Sequence, residues 1–329
     1  MNQKRSNPFT GIYKICNESN NREKYERVQN KKEVPIYIDI ELTNYCNIRC
    51  NMCPVGTKNM KRHQGMMNSE TFERVCQQIE KNDIKGVRLI RWGEPTIHPY
   101  FLEYLKRLKQ IEGLLVHFNT NGIHLSDRML TEIVNMQIDS VKFSFQGIDE
   151  LTYSEMRSGG KFNTIIDNIK RLYEIRGNAE KPYIFVTTTT TYESSEEIKY
   201  FKNEIEKYCD ELVVGKTNIE FVDLNEMNIS SDRYKLYKDY INNNKMTRMP
   251  YLQVCPELFD KLSINWDGTV SACCKDFDNQ MIIGNIMEQD IKELFHNRIE
   301  NEYRKSLVEK EYTSLPLCEK CYEYIALKK

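Results

Sequence analysis

From Ile36 onward the chain repeats one unit: a short extended run, then apolar residues at helical spacing. Ile36-Tyr37-Ile38-Asp39-Ile40 alternates at period two, and Phe72, Val75, Cys76 and Ile79 follow behind an Asn68-Ser69-Glu70 helix start. Gly86-Val87-Arg88-Leu89-Ile90 precedes a helix marked by Phe101, Leu102, Leu105 and Leu108. Leu114-Leu115-Val116-His117-Phe118 is followed by Leu130, Ile133 and Val134, and Val141-Lys142-Phe143-Ser144-Phe145 by Ile165, Ile166, Ile169 and Leu172. Tyr183-Ile184-Phe185-Val186-Thr187 leads to Ile198, Phe201 and Ile205, and either Leu212-Val213-Val214 or Ile219-Glu220-Phe221 supplies a sixth strand. Alternation at spacings of about 25–40 residues requires parallel pairing through right-handed crossovers. A partial β/α barrel and an open doubly wound sheet both satisfy it.

The rhythm sets the expected boundaries. Residues 1–33 are polar and read as a flexible or loosely docked N-terminal arm, 34–224 hold the repeating units, and 225–250 form an Asn- and Tyr-rich linker. Residues 251–329 form a small C-terminal domain of short strands, turns and paired cysteines. With 40% hydrophobic and 29% charged residues the composition is that of a folded chain. Forty-seven Lys and Arg against 48 Asp and Glu leave no basic field for nucleic acid or an anionic membrane. No run approaches the ~18 apolar residues of a membrane span, and the polar start at Met1-Asn2-Gln3-Lys4 is not that of a signal peptide. A cytoplasmic location is expected.

Eleven cysteines, an odd number, argue for metal or redox chemistry rather than a disulfide framework. Cys46-Asn47-Ile48-Arg49-Cys50-Asn51-Met52-Cys53-Pro54 follows the first strand and brings three thiols close enough to wrap one soft metal centre. A structural zinc wants a fourth ligand, and no His or Cys follows until His63. An iron–sulfur cube held by three thiolates keeps one iron open for an external ligand. At this point a zinc loop and packed thiols remain alternatives to the cube.

This triad resembles the signature of the radical S-adenosylmethionine (SAM) enzymes. The resemblance covers about residues 34–222, and further segments match in order. Trp92-Gly93-Glu94-Pro95 is similar to the Gly-Gly-Glu-Pro segment that binds the SAM amino group, with Trp92 in place of the first glycine. Thr120-Asn121-Gly122 ends the third strand. Phe143-Ser144-Phe145-Gln146-Gly147 is similar to a Ser-x-Asp-Gly turn, with Gln146 where Asp is common, and Arg157-Ser158-Gly159-Gly160 matches a segment whose Arg reaches the methionyl carboxylate. The resemblance implies an α/β fold, a partial (β/α)6 TIM-like barrel. It implies Cys46, Cys50 and Cys53 as ligands of a 4Fe–4S cluster, and Gly93, Glu94, Pro95, Asn121, Ser144 and Arg157 as SAM contacts. Barrel active sites gather at strand C-termini, and a carboxylate and a guanidinium there suit a zwitterion.

Cys255, then Gly268-Thr269-Val270-Ser271-Ala272-Cys273-Cys274, then Cys318-Glu319-Lys320-Cys321 form a second array. It resembles the SPASM/twitch C-terminal domains of the same superfamily, reduced here to four matching cysteines. The resemblance implies one auxiliary 4Fe–4S cluster held by Cys255, Cys273, Cys318 and Cys321, with Cys273 rather than Cys274 completing Gly-x4-Cys; four thiolates would also satisfy zinc. Cys76 and Cys209 read as packed thiols on helix faces, Cys16 has no partner in sequence, and His98 and His117 read as structural.

The implied chemistry is reductive cleavage of SAM to a 5′-deoxyadenosyl radical that takes a hydrogen atom from substrate, with flavodoxin or ferredoxin as electron donor. The four-cysteine arrangement is similar to that of the twitch-type deoxy-scyllo-inosamine dehydrogenases, which oxidise an alcohol to a ketone. A SAM-dependent oxidoreductase acting on a carbohydrate or cyclitol is therefore expected, with the auxiliary cluster taking the electron left on the substrate. The rival enzyme is a peptide maturase; the 33 residues before the first strand are too few for the winged-helix domain that such maturases often carry. A zinc-binding scaffold without catalysis is the alternative of another class. No general base stands out: Lys216, Asn218, Glu220 and the threonines at 187–191 fall near the expected cavity, where a solvated barrel rim would hold the same residues.

Overall fold

The computed structural model of the chain describes residues 5–30, 33–243, 246–248, 255–318, 321 and 325–327. Parts of the expected linker and C-terminal segment, 244–245 and 249–254 among them, lie outside the described residues. Two helices come first, α1 (Thr10–Asn17) and α2 (Asn21–Gln29). The repeating units follow as strands β1 (Tyr37–Ile40), β2 (Gly86–Leu89), β3 (Leu115–Thr120), β4 (Ser140–Gln146), β5 (Tyr183–Thr190) and β6 (Glu211–Lys216). Each is parallel to the next. The intervening helices are α3 (Ser69–Lys81), α4 (Phe101–Lys109), α5 (Asp127–Asn135), α6 (Glu150–Met156), α7 (Phe162–Arg176) and α8 (Ser195–Ile205).

Strand alternation separates two faces. Val87, Leu89, Val116, Phe118, Val141, Phe143, Ile184 and Val186 are fully buried in one core with Val75, Leu105, Leu108, Ile133 and Ile169 of the helices. Each such side chain contributes roughly 1.5–3 kcal/mol by leaving water. The other face carries Asp39, Arg88, His117, Asn119, Lys142 and Ser144, and this polar face holds the candidate site. The sixth strand forms at the first of the two expected places. Ile219-Glu220-Phe221 is not a strand; Asn218 turns the chain there, its Oδ1 accepting from the Glu220 amide at 2.9 Å.

After α9 (Ser231–Asn243) and the short helix α10 (Pro256–Phe259), the chain returns to the sheet. β7 (Lys261–Ile264) pairs parallel with β1, and β8 (Thr269–Ser271) and β9 (Ile282–Asn285) add antiparallel strands beyond it. The result is one nine-stranded sheet in the order β9-β8-β7-β1-β2-β3-β4-β5-β6, in which β6 and β9 are the unjoined ends of a partial barrel. Helices α11 (Ile291–Phe295) and α12 (Arg298–Val308) complete the C-terminal part. A buried ion cluster fastens the junction. Asp39 accepts from Arg88 Nε and Nη2 at 2.7 and 2.8 Å and from Lys261 Nζ at 2.7 Å, so one carboxylate joins β1, β2 and β7.

The N-terminal segment is not the loosely docked arm its polarity suggested. Phe9, Ile12 and Cys16 form one apolar face of α1 and bury against Tyr37. Lys24 of α2 is fully buried, its ammonium paired with Asp260 and with the Cys16 carbonyl. The Asn20–Glu23 capping box starts α2. Spacing at 9, 12 and 16 was the helical signal that the surrounding charge obscured. Among the described residues no helix is long and apolar enough to cross a membrane.

Candidate functional site

The loop after β1 wraps back on itself so that Cys46, Cys50 and Cys53 border one cavity of about 210 Å³ with Gly93, Glu94, Pro95, Asn121, Ser144 and Arg157. Every site residue expected in the N-terminal two-thirds of the chain thus meets at one place. Local sequence explains the wrap. Gly56 lies so close to the Cys50 main chain that a Cβ would stand 2.3 Å from the Cys50 carbonyl oxygen. Arg49–Cys50 and Arg157–Ser158 form a two-stranded ribbon in which Cys50 faces Arg157, so the thiol loop and the arginine are held by main-chain bonds.

Burial pushes the Cys46 thiol up to about 11 and the Cys50 thiol up to about 12, and raises Cys53 as well. The Arg157 guanidinium opposes this at Cys50 and Cys53. The thiols therefore carry protons near neutrality, and a metal centre bound here would displace them.

The turn after β2 needs its glycine. Gly93 has φ +90°, and a Cβ on it would lie 2.3 Å from the Thr43 carbonyl oxygen and 2.6 Å from that of Tyr45. Glu94 is 2% exposed and organises its surroundings. Oε1 accepts from Thr96 Oγ1 at 2.7 Å and Thr120 Oγ1 at 2.8 Å, and Oε2 accepts from the Asn121 amide at 2.6 Å. Burial raises the Glu94 pKa and these hydrogen bonds oppose the rise. Asn121 Nδ2 donates to Asn47 Oδ1 at 2.7 Å and lies 3.7 Å from Cys46 Sγ, tying the end of β3 to the thiol loop. Arg157 Nη1 donates to the Ser144 carbonyl at 2.6 Å.

Among the described residues, three donors of the residues lining this cavity, Arg91 Nε, Trp92 Nε1 and Arg157 Nε, are buried without a hydrogen-bond partner. Such groups are costly unless a ligand satisfies them. Three soft thiols beside the unpartnered Arg157 Nε fit a thiolate-held cluster with an anionic ligand next to it. Among the described residues no group of three or more His, Cys, Asp or Glu is placed to hold a single metal ion; the thiols stand around cavities instead.

A second, larger cavity of about 810 Å³ lies on the same polar face of the sheet and shares Ile90 and Asn119 with the first. Cys255, Cys273, Cys318 and Cys321 all border it, as do Cys274 and Cys16. Cys16 has no neighbour in sequence that announces this; only the docking of α1 brings it here. Asn21, the first residue of α2, holds the Cys255 main chain, its Oδ1 accepting from the Cys255 amide at 2.7 Å. Burial raises the thiols of Cys273 and Cys274, the latter to about 11.

The sheet side of the cavity mixes polar and aromatic groups: Arg88, His117, Asn119, Lys142 and Glu220 beside Tyr37, Phe185 and Phe221. His117 Nε2 meets Asn119 Oδ1 at 2.8 Å, and burial with the nearby Arg88 and Lys142 charges pulls the imidazole down to about 3, so it is neutral. His98 lies elsewhere and is structural, its Nε2 against the Met67 carbonyl at 3.0 Å and its Nδ1 accepting from the Tyr100 amide at 3.2 Å. Of the other residues weighed for the cavity, Thr188 donates to the Gly147 carbonyl and Thr190 to that of Gly215, so they hold strands together, and Lys216 is exposed.

The radical SAM superfamily model matches residues 40–205, and the model of the SPASM iron–sulfur cluster-binding domain matches 255–322. The tungsten-containing aldehyde ferredoxin oxidoreductase cofactor-modifying protein of Pyrococcus furiosus is 26% identical over 262 residues, 72% of this chain and 70% of that protein. Among solved structures, BtrN in complex with AdoMet and 2-DOIA superposes with a TM-score of 0.55 at 18% identity, covering 89% of this chain and 99% of BtrN. Streptococcus suis SuiB bound to precursor peptide SuiA gives 0.62 at 17% identity, covering 92% of this chain and 73% of SuiB.

Proposed function

Because the chain belongs to the radical SAM superfamily and carries a SPASM iron–sulfur domain, we propose that it is a SAM-dependent oxidoreductase acting on a carbohydrate or cyclitol. Cys46, Cys50 and Cys53 hold the SAM-binding 4Fe–4S cluster, and Cys255, Cys273, Cys318 and Cys321 one auxiliary 4Fe–4S cluster. When bound, the two clusters supply the electron that cleaves SAM and an acceptor for the electron that the substrate gives up. Oxidation of an alcohol carbon to a carbonyl removes one hydrogen atom, one proton and one electron; SAM with the first cluster would supply the acceptor for the hydrogen atom, and the auxiliary cluster the acceptor for the electron.

The chain's own residues bind and orient. Arg157 would donate from Nε to SAM, with Gly93, Glu94, Pro95, Asn121 and Ser144 shaping its place. Asn119, shared by both cavities, stands where SAM and substrate meet, and His117, Lys142 and Arg88 line the floor below it. Helix α1 closes that floor, since Phe9 at its start packs edge-on against His117 with centroids 5.7 Å apart. Water exclusion and a fixed approach of the reacting carbon are the main contributions such a chamber makes. A small reducing partner of the flavodoxin or ferredoxin class delivers the first electron, and the cytoplasm, where thiols stay reduced, is the proposed location.

What supports a small-molecule substrate is the junction itself: the chamber bordered by thiols and by Arg88, His117, Asn119 and Lys142 shares Asn119 and Ile90 with the three-thiol cavity. BtrN, solved with AdoMet and 2-DOIA, supports a small substrate. SuiB, solved with a precursor peptide, motivates the second reading, a peptide maturase. Reconstituted enzyme with dithionite and SAM is to be offered 2-DOIA, other deuterated polyols and short peptides. Deuterium transfer into 5′-deoxyadenosine from polyols supports the oxidoreductase; transfer from peptides alone overturns it in favour of the maturase.

A further inference from the structure

The turn that presents Gly93 and Glu94 is preceded by two residues, Arg91 and Trp92, that both reach away from it into the loop 273–281. Arg91 is a non-glycine residue at φ +97°, a backbone conformation that L-residues rarely hold unless their surroundings impose it. Its side chain is fully buried, with Nη1 donating to the Cys273 carbonyl at 3.3 Å and Nη2 to the Asp276 carbonyl at 2.9 Å. Behind it, Glu41 pairs with Arg91 at 4.0 Å and accepts both Arg62 Nη groups, while Arg62 Nε donates to the Phe277 carbonyl at 2.8 Å. Trp92, the residue that stands in place of a glycine, meets Phe277 edge-on with centroids 5.8 Å apart. The loop is firm on its own side as well: Asp276 accepts from Ser271 Oγ and from the Gln280 and Met281 amides, each at 2.8 Å.

We propose that Arg91 and Trp92 form a strut that locks the Cys273 loop to the SAM-binding turn, and so fixes where the auxiliary cluster sits relative to SAM. Both are positioning residues for a centre they do not ligate. The proposal rests on the auxiliary-cluster reading given above. A backbone strained at Arg91 is useful here because it aims the guanidinium off the turn and across to Cys273, where an unstrained conformer would send it elsewhere. The same guanidinium places a positive charge beside a ligand loop, which favours the reduced, more negative form of a thiolate-held cluster.

Two measurements test this, and only one needs a cluster. In the metal-free full chain, hydrogen–deuterium exchange of 273–281 is expected to speed at least tenfold in Arg91→Gly and in Trp92→Gly, while peptides of β3 and β4 keep wild-type protection. Phe277→Leu, which trims the strut from its far end, gives the same local loosening if either variant fails to fold. In the Cys46→Ala/Cys50→Ala/Cys53→Ala background the remaining cluster is read by potentiometric titration. Adding Arg91→Gln is expected to move its midpoint to a more negative potential, and Arg91→Lys to restore most of the wild-type value. Exchange within twofold of wild type in all three loop variants, or a midpoint unmoved by Arg91→Gln, overturns the strut. The two failures are separable: a triple-cysteine variant that holds no iron sinks the auxiliary-cluster reading, whereas the exchange result judges the strut without any metal.

Discussion

Single residues show why types and spacings mattered here and where they fell silent. Gly93 is required by a positive φ and by two carbonyl oxygens in its Cβ position. Gly93→Ala is therefore expected to destabilise the chain by roughly 1–3 kcal/mol in denaturant unfolding and to open the turn that holds Glu94. His117 offers a pH test. Its folded pKa lies near 3 against 6.5 unfolded, so the stability it confers by staying neutral is complete above about 6.5 and is lost as pH falls toward 3. The expected loss between pH 8 and pH 5 is roughly 1–2 kcal/mol, measured by urea unfolding, and His117→Gln is expected to flatten that part of the profile. The glycine and the cysteines were legible because chemistry of that kind needs those residue types at those spacings. Arg91, Asn47 and Cys16 were not, because an arginine, an asparagine or one cysteine carries no local signal; only tertiary placement gives each its partner.

At the level of elements, alternation of strand and helix was legible throughout β1 to β5, since each strand buries β-branched or aromatic residues at period two. Two features escaped. The helices α1 and α2 hide a narrow apolar face in a strongly charged segment, and β7 is short, with Lys261 buried as thoroughly as its apolar neighbours. That lysine is tolerated because Asp39 and Glu257 neutralise it, at 2.7 and 2.6 Å. The same Asp39 carboxylate, held well below the ordinary range by Arg88 and Lys261 despite its burial, couples β7 to the first two strands of the barrel. Asp39→Asn would leave two buried cations short of a counter-charge. The expected cost is about 3–5 kcal/mol by denaturant unfolding, with hydrogen exchange rising first in 261–271. A change below about 1 kcal/mol would mean that main-chain pairing alone holds the junction.

The whole molecule puts two thiol-lined cavities on one sheet face, with Asn119 and Ile90 common to both and α1 closing the floor of the larger. Substrate chemistry is written in that chamber's shape, which no linear pattern describes; the family, by contrast, was readable in the Cys46–Cys50–Cys53 spacing and the segments that follow in order. If both sets of thiols are loaded, anaerobically reconstituted protein is expected to contain about eight irons per chain, falling to about four when Cys46, Cys50 and Cys53 are replaced by alanine. The most direct test is reductive SAM cleavage. Reconstituted wild-type protein under dithionite is expected to convert SAM to 5′-deoxyadenosine and methionine, and the Cys46→Ala/Cys50→Ala/Cys53→Ala variant to leave SAM intact. Equal 5′-deoxyadenosine from both proteins, or intact SAM with both, would contradict the assignment of those three thiols to the catalytic cluster.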